Sequence, residues 1–108
     1  MTSKTIHLEK PFVLFDKQVT ELEIKEPTGR QYADIGEPFV YIRNADGAVY
    51  SVEQTDVIKS FLDVCIAHDS GAHILGLLSL IDFKKVKRAL LDFFTDADAE
   101  LFSKSATA

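Results

Sequence analysis

At 108 residues the chain is long enough for one hydrophobic core and too short for two independent ones. Apolar residues make up 46% of it and charged residues 27%, which places it among globular domains and excludes a disordered composition. Twelve Lys and Arg against seventeen Asp and Glu leave a formal charge of −5, which argues against a nucleic-acid partner.

Residues 5–15 are rich in β-branched and aromatic side chains, with Ile6 and Leu8 alternating against His7 and Glu9, and read as a strand. Pro11 lacks a backbone donor, so this strand is expected to be an edge or to break there. Asp16 and Lys17 are expected to form the tight turn. Residues 19–25 alternate again: Leu22 and Ile24 point one way, Glu21, Glu23 and Lys25 the other, as in an antiparallel strand with one covered face. Pro27 ends that strand, and Thr28 is placed to cap a short helix over 28–36, with Tyr32 and Ile35 on one side and Gly36 as terminator.

Residues 39–43 and 48–52 alternate around Asn44-Ala45-Asp46-Gly47, a combination that predicts a second hairpin over 39–52. A helix is expected from about Asp56 to His68, capped by Thr55 or Ser51, with Val57, Ile58, Phe61, Leu62 and Cys65 on one stripe. Residues 69–72 break it, and residues 74–80 read as a short, largely buried helical segment. Ser79 or Asp82 begins the last helix, where Phe83, Val86, Leu90, Phe93 and Phe94 form the apolar face. Lys84, Lys85, Lys87 and Arg88 read as its wet side rather than a phosphate or membrane contact.

The expectation is an α+β fold, with a small N-terminal antiparallel sheet of one or two hairpins packed against three to four C-terminal helices. Residues 1–102 form a single domain, comprising the β-hairpin 5–25, the helix 28–36, the hairpin 39–52 and the helical part 55–102. Residues 103–108 are expected to be a disordered tail. No apolar run suits a signal peptide or a membrane span, so a cytosolic protein without membrane association is expected.

No catalytic motif stands out. His68, Asp69 and His73 lie near one another in sequence, but their spacing suits no single helix face, and capping or surface roles are favoured over metal ligation. The carboxylates Asp63, Asp69, Asp82 and Asp92 read as solvated helix edges and caps. Cys65 lies in an apolar stripe and reads as an inert core thiol. The apolar content of the last helix exceeds what one stripe needs, and Leu91, Phe94, Leu101 and Phe102 are the candidate partner-binding residues.

Ile6-His7-Leu8-Glu9-Lys10-Pro11, the stretch from Val19-Thr20-Glu21-Leu22 to Glu26-Pro27-Thr28, and the exit at Asp34-Ile35-Gly36 together resemble the tail assembly chaperones of contractile-tailed, Mu-like bacteriophages. Leu80-Ile81-Asp82-Phe83, leading into a helix with the pair Phe93 and Phe94, fits the same pattern. Lys17 departs from it, since the family's turn often carries glycine, and the 39–52 hairpin is longer than expected.

The resemblance implies a non-enzymatic assembly factor, encoded by a phage or prophage and acting in the host cytoplasm. It would bind the tape measure protein, keep it soluble during tail assembly and be absent from the mature virion. It needs no metal or cofactor, and partners beyond the client would be further copies of the chain or a longer frameshifted form. The alternatives are a self-associating structural component of the tail and a small metal-dependent enzyme using the region of His68 and His73.

Overall fold

The computed structural model describes residues 2–68 and 71–107. In chain order the elements are β1 (Ser3–Leu14), β2 (Lys17–Lys25), α1 (Gly29–Ile35), β3 (Phe39–Arg43), β4 (Val49–Glu53), α2 (Thr55–Cys65), α3 (Gly71–Leu75) and α4 (Leu80–Thr107). The fold is α+β: β1 pairs with β2 and β3 with β4 in two separate antiparallel hairpins, and the four helices end in one much longer than the rest.

The first hairpin follows its alternation. Ile6 faces Leu22, and Leu8, Leu22 and Ile24 are buried while Glu21, Glu23 and Lys25 are exposed. The turn lies one residue earlier than expected. Leu14 pairs with Lys17, so Phe15 and Asp16 form the two-residue turn, with φ of 50° and 63°. A turn on Asp16 and Lys17 would instead pair Phe15 with Gln18 and set Leu14 opposite Val19, a two-residue shift of the register.

Between the pairs His7–Glu21 and Phe12–Val19, five residue steps on β1 face two on β2. This irregularity contains Pro11, and it leaves the amides of Glu9 and Lys10 without a place in the regular ladder.

The covered face of β1–β2 packs on Ile58, Phe61, Leu62 and Cys65 of α2 and on Val86, Ala89, Leu90 and Phe93 of α4. Complete burial of side chains such as Ile24, Phe61 and Leu90 stabilises the fold by about 1.5–3 kcal/mol each. Helix α2 ends at Cys65 rather than His68. Ile66 is extended and bridges Ile24, and Ala67 donates its N–H to the Glu23 carbonyl at 2.9 Å, so the sheet edge takes the chain from the helix. Neither Thr55 nor Ser51 caps α2. Gln54 holds the capping position without a side-chain bond to the helix, because its amide is committed to the Glu37 carbonyl at 2.7 Å.

The segment 74–80 is only partly helical and only partly buried. Ile74 is enclosed, but the chain turns at residues 76–79 and exposes Leu77 and Leu80. Residues 69 and 70 of the expected break lie outside the described residues.

Helix α4 begins at a Ser79 cap, whose hydroxyl accepts the Asp82 N–H at 3.3 Å and donates to the Asp82 carboxylate at 3.0 Å. Val86, Leu90 and Phe93 are buried as the apolar stripe requires. The helix continues to Thr107, so residues 103–107, expected as a disordered tail, extend it instead.

Candidate functional site

Two elements remote in sequence form an apolar groove. One is the start of α1, where the Thr28 hydroxyl accepts the Gln31 N–H at 3.1 Å and the Gln31 side chain accepts the Thr28 N–H at 3.0 Å, a closed capping box. Gly36, with φ of 104°, ends this helix by donating its N–H to the Tyr32 carbonyl. The other is the stretch of α4 from Phe93 to Leu101. The groove between them has a volume of about 320 Å³.

Three aromatic rings run from the core to this groove. Phe61 meets Phe94 edge-on with centroids 5.0 Å apart, and Phe94 meets Tyr32 edge-on at 6.2 Å. The Tyr32 hydroxyl donates to the Glu37 carboxylate. That bond and the negative charge of Glu37 raise the phenol's pKa above its ordinary value, so Tyr32 stays a neutral donor. The charged residues lining the groove are Glu26, Glu37 and Asp98, with no Lys or Arg among them. An apolar floor with an acidic rim suits an apolar segment flanked by basic residues.

The four candidate partner-binding residues do not share one surface. Phe94 and Leu101 both line the groove. Leu91 is half-buried, packs against the core and faces a second groove between α4 and the β3–β4 hairpin. Phe94 also packs against the core, so Leu101 and Phe102, 65% and 75% exposed, are the two that project freely.

Sequence reasoning missed Pro27 and Tyr32. They lie in the stretch from Val19 to Gly36, which reads as scaffold because nothing local reveals that α4 passes alongside. It also missed the apolar outer face of the second hairpin. The signal was present in the alternation of Val40 and Ile42 with Tyr50 and Val52, but alternation does not say which face is covered.

The remaining candidates have structural roles or lie apart. Asp82 is no solvated edge: it is fully enclosed and accepts the amides of Glu9 at 2.7 Å and Lys10 at 3.0 Å. Lys85 reaches the His7 carbonyl and the Glu9 carboxylate, and Lys87 pairs with Glu53 at 2.9 Å, so half of the basic cluster tethers strands while Lys84 and Arg88 stay exposed. Burial pushes the Cys65 thiol up to about 11, which keeps it protonated at neutral pH.

His68 and His73 are exposed, and Asp69 lies outside the described residues. Among the described residues no group of three or more His, Cys, Asp or Glu side chains is placed to hold a metal ion. No helix among them is long and apolar enough to cross a membrane.

Comparison with protein-family models, with curated proteins and with solved structures gives no match.

Proposed function

We propose that the chain is a phage tail assembly chaperone that binds the tape measure protein in the host cytoplasm and keeps it soluble until the tail tube forms around it. The observation that carries this reading is the exposure of Leu101 and Phe102 on an ordered helix, next to an apolar groove that already holds Phe94. Two large apolar side chains on the far end of a helix do nothing for this chain's own core. They suit a partner that covers them.

The client segment this groove fits is a helix with an apolar stripe and Lys or Arg at its flanks, matching Glu26, Glu37 and Asp98. Burying Leu101 and Phe102 contributes only about 3–6 kcal/mol before the cost of association is subtracted, so one copy binds weakly. A long client with a repeated stripe recruits many copies side by side.

Co-expression with the tape measure protein encoded beside this chain tests the reading. A soluble complex that survives purification is expected, and a client equally insoluble with and without the chain sinks it. Analysis of purified particles separates a chaperone, absent from them, from a structural tail component, which is retained.

A further inference from the structure

The β3–β4 hairpin carries apolar side chains on both faces. Phe39, Tyr41, Ser51 and Glu53 face the groove against α4, to which Glu53 is tied by Lys87. Val40, Ile42, Tyr50 and Val52 form the opposite face, pair across the hairpin as Val40–Val52 and Ile42–Tyr50, and keep between 38 and 45% exposure. A two-stranded sheet is marginal in water unless more strands or a helix complete it, and among the described residues that apolar face stays more than a third exposed.

The backbone shows where completion is available. Asn44 donates its N–H to the Ala48 carbonyl at 2.8 Å, and Gln54 donates to the Pro38 carbonyl at 2.7 Å. With Tyr41 opposite Ser51, these bonds fix the phase: Val40 and Ile42 exchange bonds with β4, while Phe39, Tyr41 and Arg43 turn their N–H and C=O groups outward. Among the described residues no strand pairs with that edge. No lysine, proline or bulge within β3 protects it, as solitary edges usually require.

We infer that β3 pairs with β3 of a second copy of this chain, antiparallel about a two-fold axis at Tyr41, to make one four-stranded sheet. In that register Tyr41 faces Tyr41 of the second copy, Val40 faces its Ile42, and Phe39 faces its Arg43. These are an aromatic pair, an apolar pair on the uncovered face and a cation beside a ring, and no like charges meet. Every outward N–H and C=O of Phe39, Tyr41 and Arg43 finds a partner. The β4 edge is a poorer match, because symmetry about Ser51 sets Val49 against Glu53, which Lys87 already holds. A two-fold contact closes on itself and gives a dimer rather than a fibre.

The test uses the full chain without any client. Sedimentation from micromolar to millimolar concentration should show a reversible dimer. Tyr41→Cys places two thiols at directly opposed positions with Cα atoms about 5.5 Å apart, within disulfide range. Mild oxidation should therefore give a covalent dimer on a non-reducing gel. Ser51→Cys should stay monomeric on the same gel, as should the parent chain, whose Cys65 is buried.

Tyr41→Pro removes an outward donor without touching the bonds of Val40 and Ile42 to β4, and should weaken the dimer roughly tenfold or more. A chain that stays monomeric at millimolar concentration overturns the inference. So does a dimer that Tyr41→Cys fails to trap, or one that Ser51→Cys traps equally well.

Discussion

The carboxylate of Asp82 accepts the backbone N–H of Glu9 at 2.7 Å, although the two residues are 73 positions apart. With Lys10 at 3.0 Å on its other oxygen, Asp82 satisfies two amides that the irregular stretch of β1 around Pro11 withdraws from the ladder. One side chain thus holds the Ser79 hydroxyl that caps α4 and closes a gap in the sheet. Asp82→Ala takes the acceptor from those part-buried amides and removes the enclosed carboxylate, and is expected to lower the unfolding free energy by about 1–3 kcal/mol. Asp82→Asn keeps one acceptor oxygen and should cost less. Urea denaturation of the two variants and the parent measures this, and a loss for Asp82→Ala within about 0.5 kcal/mol, as for an ordinary surface site, would refute it.

The same carboxylate gives acid stability a definite sign. Removal from water opposes its ionisation, but the amides of Glu9 and Lys10, the Ser79 hydroxyl and the Lys85 ammonium outweigh that and hold its pKa below the ordinary value. An unfolded aspartate titrates at about pH 3.9. Because the folded value is lower, the contribution is fully present above about pH 4 and is lost as pH falls through the folded value. Stability measured from pH 6 downward should therefore fall more steeply below pH 4 in the parent chain than in Asp82→Asn. Parallel curves would show that the charge contributes nothing.

Local pattern carried most of the elements into view. Leu22 and Ile24 against Glu21 and Glu23, the Thr28 cap, the Gly36 terminator and the stripe from Val86 to Phe93 each depend on neighbours within a few residues, and each forms as its spacing implies. What escaped depends on distant partners. The end of α2 is decided by Ile24 and Glu23 on β2, and the burial of Asp82 by two amides in β1. Tyr32 enters the candidate groove only because α4 runs past it. Leu101 and Phe102 were legible as surplus apolar residues, but whether Phe94 belonged with them or with the core turned on Phe61, a residue of another helix.

The turn of the first hairpin is strained at a position that invites relief. Phe15 adopts a φ of 50° and is 76% exposed, so its ring gains little from packing while its Cβ disfavours the left-handed region. Phe15→Asn retains the primed turn that Asn tolerates, and should raise stability by about 0.5–1 kcal/mol. A thermal melt monitored by circular dichroism suffices. A lower midpoint would show that Phe15 contributes more through contacts than its backbone costs.

Phe94 and Phe102 lie two turns apart on one helix and should respond to the same change in opposite ways. Phe94 is half-buried and stacks edge-on to Phe61 at 5.0 Å, so Phe94→Ser removes a core contact and is expected to cost about 2–4 kcal/mol of stability. Phe102 is 75% exposed, so Phe102→Ser should leave stability within about 0.5 kcal/mol. If the far end of α4 holds a client helix, Phe102→Ser should still abolish recovery of the soluble complex while the variant alone melts like the parent. Retention of the complex by a folded Phe102→Ser together with Leu101→Ser would remove α4's projecting end from the binding surface, leaving only the groove between Tyr32 and Phe94 to carry it.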